Sequence, residues 1–394
     1  MDKSLRILCI VNLPWDPSLG AARVWIELSE QWKRAGHSVE RFCLSDAFPR
    51  KASRGVGTLQ QMFFPRHAAG FVRDNAERFD VVDCLLGTLP FSKESLRFRG
   101  LLVGRSIGFY RSYEEFLRSA SKRWPNQPHG RWRGRFFYSL SRRQLVRHAH
   151  RAVRHCDLLN LPNEDELASM RESAPNIPAM VQPYGLTAAD AAALRQAAAT
   201  PEERLRAKHV VFIGMWSPRK GSLDWRQIIA HVRRSVPDTR FSFLGTSVPD
   251  HVVERDLGLG RSHGIECVSY YNPKELPRLL SNCTVGIFPS YIEGFGLAVL
   301  EKIAAGIPAV AYDVPGPRQI LWAERETLLT PEGDVEKIAA RAVEILQMPV
   351  GPYRQLSDQC HALSTQFRWE EIATATAGAY WVALENVRAP QNRR

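Results

Sequence analysis

Residues 285–301 read VGIFPSYIEGFGLAVLE, and this stretch decides the fold. The short apolar run Val285–Phe288 predicts a buried strand, and Pro289-Ser290 ends it. A loop leads to Glu293-Gly294-Phe295-Gly296, and an apolar helix is predicted from Leu297 to Ala305, stopped by Gly306. Strand, glycine loop and helix N-terminus together make an anion site. Glycines let the backbone approach a ligand closely, and the first helical N–H groups have no acceptor within the helix. Glu293 and Glu301 stand eight residues apart, one in the loop and one about a turn into the helix. Ionised carboxylates accept paired hydroxyl hydrogen bonds, so the stretch suits a ligand with an anionic middle and hydroxyl-bearing ends, such as a nucleotide sugar. The spacing alone also describes an ordinary α/β unit.

The chain around it alternates in the same way. At 394 residues it is long for one domain and natural for two. With 44% hydrophobic and 24% charged residues it is globular. Its seven cysteines are scattered without a pair at metal-ligand spacing, which predicts a reduced, cytoplasmic protein with no metal centre. No signal peptide and no bilayer-spanning apolar run is expected.

Leu5–Val11 predicts a first buried strand, Asn12–Gly20 a loop, Ala21–Ala35 a helix and Ser38–Leu44 a second strand. Strand, helix and strand at this length imply a right-handed parallel crossover in a doubly wound sheet. Further strands are expected at 81–86, 101–105 and 158–161, then, after an alanine-rich connection, at 209–214, 240–244, 284–288 and 308–311. Helices are expected at 273–280, 335–346 and from Trp369 to about Val387. Two such halves imply a ligand cleft at the carboxyl ends of the strands. Gly20, opening the first helix, and Ser217-Pro218-Arg219-Lys220-Gly221, following the strand at 209–214, are candidate phosphate-facing turns. The bland reading of Arg219 and Lys220 is a solvated pair on a surface turn.

Glu293-Gly294-Phe295-Gly296, Glu301, the run Ala304-Ala305-Gly306-Ile307-Pro308-Ala309-Val310 and Asp313-Val314-Pro315-Gly316 closely resemble the signature of the retaining, family-four (group 1) glycosyltransferases. Gly20-Ala21-Ala22 with Arg34–Val39, and Met180–Leu186, are similar to that family's first domain. The resemblance implies a GT-B fold, with two Rossmann-like parallel-sheet domains facing a cleft. The domains would be an acceptor domain 1–186, a linker 187–208, a donor domain 209–367 and a helix 368–394 returning to the first domain. It also implies transfer of a sugar from a nucleotide diphosphate-sugar to a hydroxyl acceptor, without cofactor or metal. In the roles so implied, Glu301 accepts ribose hydroxyls and Glu293 contacts the donor sugar. Gly294 and the Phe295, Gly296 and Leu297 backbone face sugar and diphosphate. Lys220, Gly221 and Arg219 meet the diphosphate, and Gly20 lets the first domain close on it. Electrostatic stabilisation of the departing diphosphate would be the main catalytic effect.

Two departures stand out. Where the family has Gly-Arg this chain has Gly214-Met215, leaving Arg219 to substitute. Where it places a His after the strand at 101–105, this chain offers Arg105 and Ser106 on the acceptor side. From Ser121 to His155 there are ten Lys or Arg and no Asp or Glu, interleaved with Trp124, Trp132, Phe136, Phe137 and Tyr138. The segment reads as a solvated helical face, or as a surface for an anionic membrane carrying a lipid-linked acceptor at the inner face. Nucleic acid is not expected, since no recognition motif accompanies the charge. A fold-retaining protein without transfer, and a nucleotide-sugar epimerase, are the alternatives from other classes.

Overall fold

The computed structural model describes residues 4–17, 19–49, 56–108, 116, 119, 120, 123, 124 and 132–389, with the backbone alone at 56, 58 and 132–143. Much of the basic segment 121–155 therefore lies outside the described residues. The chain forms two compact units, Met1–Pro183 with Trp369–Arg394, and Tyr184–Arg368.

The first unit holds six parallel strands: β1 Arg6–Val11, β2 Ser38–Cys43, β3 Val81–Leu85, β4 Leu101–Arg105, β5 Leu158–Leu161 and β6 Ala179–Val181. They lie in the order β2-β1-β3-β4-β5-β6. Every residue of β3, β4 and β5 is buried, as a parallel sheet covered on both faces requires. Leu8, Ile10, Val82 and Leu102 pack with Phe64, Ala68 and Val72 of the helix Val56–Asn75. Leu159 and Leu161 pack with Ala149, Ala152 and Val153 of the helix Trp132–His155.

Arg105 corrects an expectation. It was expected on the acceptor side, yet it is fully buried. Its guanidinium donates to Asp83 on β3 (Nη2–Oδ2 2.7 Å), to Gln182 Oε1 at 2.9 Å and to the Tyr380 hydroxyl oxygen at 2.9 Å. Tyr380 donates in turn to Asp83 at 2.7 Å. A buried cation persists only when paired and hydrogen-bonded. Arg105 is therefore structural: it ties the helix Trp369–Arg388 to the sheet, together with Trp32 Nε1 donating to Ala373 O at 3.0 Å.

The second unit holds β7 His209–Ile213, β8 Arg240–Leu244, β9 Ile265–Val268, β10 Val285–Phe288, β11 Ala309–Tyr312 and β12 Leu329–Thr330. All pair parallel, in the order β12-β11-β10-β7-β8-β9. The order reverses between β7 and β10, and ligands of open α/β sheets bind at such a switch point. The connection expected over 187–208 forms two helices, Ala188–Gln196 and Pro201–Ala207, capped by Thr187 and Thr200, and both belong to this unit. Arg204 anchors the second: it is buried, and its guanidinium donates to Ser281 O, Gly306 O and Ala305 O. Those three backbone carbonyls satisfy a cation that polarity alone would place in a linker.

Candidate active site

The loops that leave β7 and β10, at the switch point, are built against each other. After Ile213 the chain passes Gly214 and exposed Met215 into the 3-10 turn Pro218–Lys220. Gly221 closes that turn at φ +78°, and a Cβ there would lie 2.2 Å from Pro289 O. No other residue fits both the left-handed backbone and the close approach. Tyr291 N donates to Arg219 O at 2.9 Å. The buried hydroxyls of Tyr291 and Tyr312 both donate to Asp224, at 2.6 and 2.8 Å. These residues hold the turn on β10 and β11. Sequence reading did not single out Asp224, Tyr291 or Tyr312, because their only signal is spatial.

The two loops bring Lys220 and Glu293 into direct contact. The Lys220 ammonium donates to Glu293 Oε2, with both side chains largely buried. Burial holds the Lys220 amine below its ordinary range while Glu293 pulls it back up. Lys220 Nζ also lies 5.0 Å from the Phe288 ring centroid. Arg219 and Lys220 were open to a reading as a solvated surface pair; Lys220 is instead enclosed and ion-paired.

Gly296, at φ +97°, caps the helix Leu297–Ala304, whose first N–H groups have no intrahelical acceptor by helix geometry. The cap carries no side-chain oxygen. Free amide ends such as those at Leu297 and Ala298 attract anions. Gly294 is buried in the same loop. Phe295 is fully buried among Tyr184 and Phe367, so its ring is core and only its backbone belongs to the site. Glu301 is 6% exposed one turn into the helix. The next residue, Lys302, is wholly buried, and sequence reading passed over it. Beside Glu301 it is the second charge in an apolar helix, and only packing shows that it lies over Gly286 of a buried strand.

In the first unit Gly20 begins the helix Gly20–Arg34, and a Cβ there would meet nothing within 4 Å. Its lack of a side chain is therefore not demanded by the protein's own packing. Ser106, expected on the acceptor side, is 3% exposed and donates its hydroxyl to Glu166 Oε1. Its hydroxyl accepts from Gly108 N at 3.0 Å. An enclosed hydroxyl already committed to a carboxyl does not face an acceptor. Burial pushes the Glu166 carboxyl up to about 7, with Ser106 pulling it back.

Known proteins resemble this chain in sequence and in fold. Residues 207–348 match the family model described as "Glycosyl transferases group 1". The glycogen synthase of Mycobacterium tuberculosis is 28% identical over 189 residues, 47% of this chain and 45% of that protein. The chain spans about half the length of the curated relatives it matches. Among solved structures, sucrose-phosphate synthase from Thermosynechococcus elongatus superposes with a TM-score of 0.73 at 18% identity, covering 95% of this chain and 98% of that one. The Anabaena protein HepE in complex with UDP and glucose superposes with a TM-score of 0.63 at 15% identity, covering 95% and 99%. Two parallel six-stranded sheets give the chain the GT-B fold of these structures, and its second unit resembles the group 1 glycosyltransferases over residues 207–348.

Proposed function

We propose that this protein transfers a sugar, with retention, from a nucleotide diphosphate-sugar to a hydroxyl acceptor in bacterial polysaccharide or glycolipid synthesis. The observation that carries this reading is the Lys220–Glu293 pair beside the amide ends of the helix Leu297–Ala304. It offers one cation and a helix N-terminus to a diphosphate, and one carboxylate to sugar hydroxyls. Glu301 is the acceptor for ribose hydroxyls, and the Gly294–Leu297 backbone lies along sugar and diphosphate. Lys220, Arg219 and Gly221 form the turn that meets the leaving group, where stabilised charge lowers the barrier most. The HepE structure, which holds UDP and glucose, supports a nucleotide sugar as the kind of partner.

The acceptor in this reading is lipid-linked and reached at the inner membrane face. Arg147, Arg151 and Arg154 are exposed on the helix Trp132–His155, and Leu145 is exposed on the same helix. Each cation near an anionic bilayer contributes about 1 kcal/mol. Among the described residues no helix is long and apolar enough to cross a membrane.

The test is incubation with a panel of radiolabelled UDP-, GDP- and ADP-sugars, with and without bacterial lipid extract. Transfer of label to lipid is expected. Bound but untransferred donor would reduce the protein to a sugar-nucleotide binder, and epimerised donor would make it an isomerase. Sedimentation with anionic vesicles that strengthens as salt falls is expected as well; indifference to such vesicles at low salt would remove the membrane.

A further inference from the structure

Lys302 lies at this site, and the proposed function leaves it unused. Its side chain is wholly buried, and among the described residues its amine has no hydrogen-bond partner. Its stem crosses Gly286 of β10, where a Cβ would lie 2.2 Å from Lys302 Cδ. The strand gives up a side chain at its buried centre to make room for this lysine. The Lys302 amine lies 5.0 Å from the centroid of the Phe288 ring, and the Lys220 amine lies 5.0 Å from the same centroid. The two amines are therefore within about 10 Å of each other, and buried charges at that range are little screened by salt.

Resting on the donor-site reading, we propose that Lys302 is a proton-accepting electrostatic residue beneath the diphosphate site: its amine takes up one proton from solvent when a nucleoside diphosphate binds beside Lys220. The charge so gained lies under the departing diphosphate without touching it.

Burial depresses this amine to about 7, with Glu301 of its own helix and Glu293 of the β10 loop drawing it up and Lys220 pressing it down. Cys283, just before β10, also acts on it. On the packed elements, Tyr353 donates to Thr284 O, Arg354 pairs with Glu202, Asp190 is exposed, and Cys360 is a buried thiol held neutral by its burial. Tyr312 donates to Asp224, His361 binds Ala304 O, Arg195 pairs with Asp358 and Arg318 with Asp313. An incoming diphosphate adds negative charge nearby and tips the amine toward its charged form.

The experiment is calorimetric titration with UDP, GDP and ADP at about pH 8, where the terminal phosphate is already ionised. Running it in two buffers of different ionisation enthalpy gives the number of protons exchanged. A rise of the amine from about 7 to about 8 means uptake of roughly 0.4 proton per site, and to about 9 roughly 0.8. Lys302→Met should bind diphosphate without that uptake, and Lys302→Gln should do the same while keeping a polar end. A lysine that only fills space would not change the proton count. Zero uptake by the wild type, or equal uptake by the variants, overturns the inference. Failure of the folded wild type to bind any of the three diphosphates overturns the donor-site reading instead.

Discussion

Replacing Glu166 with Gln should stabilise the protein at alkaline pH and destabilise it slightly, by about 1 kcal/mol, at acid pH. Glu166 sits in the first turn of the helix Glu164–Ser173, its N–H bonded to Asn163 Oδ1 at 2.8 Å. Position there favours a carboxylate. Burial opposes it: among the described residues Oε2 is enclosed without a partner, and Ser106 donates to Oε1. Burial wins, and the carboxyl rises from 4.5 to about 7. At 1.36 kcal/mol per pH unit, that rise corresponds to about 3 kcal/mol. Between pH 4.5 and about 7 the folded chain holds a proton that the unfolded chain has released. Stability therefore falls as pH rises through that window and is level above it. Gln has no proton to lose, so the variant's advantage should grow by about 3 kcal/mol from the acid to the alkaline end. At acid pH the amide's extra N–H costs about 1 kcal/mol. The two units need not unfold in one step, so the readout is hydrogen exchange of the β4 and β5 amides in urea. Parallel pH curves for wild type and variant would refute the reasoning.

Three more outcomes follow from the site. Glu301→Ala should weaken nucleoside-diphosphate binding by about 1.5–3 kcal/mol in calorimetry, the contribution of a charge-assisted acceptor; unchanged affinity would leave Glu301 a structural role. Lys220→Ala should cut turnover far more than Met215→Ala, because Lys220 is enclosed beside Glu293 whereas Met215 is 44% exposed; equal, small losses would remove the phosphate turn. Gly221→Ala puts a Cβ 2.2 Å from Pro289 O at φ +78°, so it should cost about 1–3 kcal/mol of stability and displace Lys220. A melt and a diphosphate titration both unchanged would show that the turn yields freely.

What the sequence determined by itself is local. The run Val285–Phe288, the glycines of the loop and the apolar helix after it state their conformations in their own residues, and β4, β5 and β8 fall on the predicted residues. Strand–helix alternation then leaves a parallel doubly wound sheet as the topology that handedness permits. Tertiary structure decided burial and pairing. Lys220 and Glu293 were legible as separate ligands, but their contact spans 73 positions and depends on β7 and β10 lying side by side. Arg105 reads as a polar residue at a strand end; only Asp83, Gln182 and Tyr380, gathered from three distant segments, make it a buried strut. Lys302 reads as a solvated lysine until Gly286 is found beneath it. Charge state follows from desolvation and neighbours, and both belong to the packed chain, so the chemistry of these groups exists only once the fold has formed.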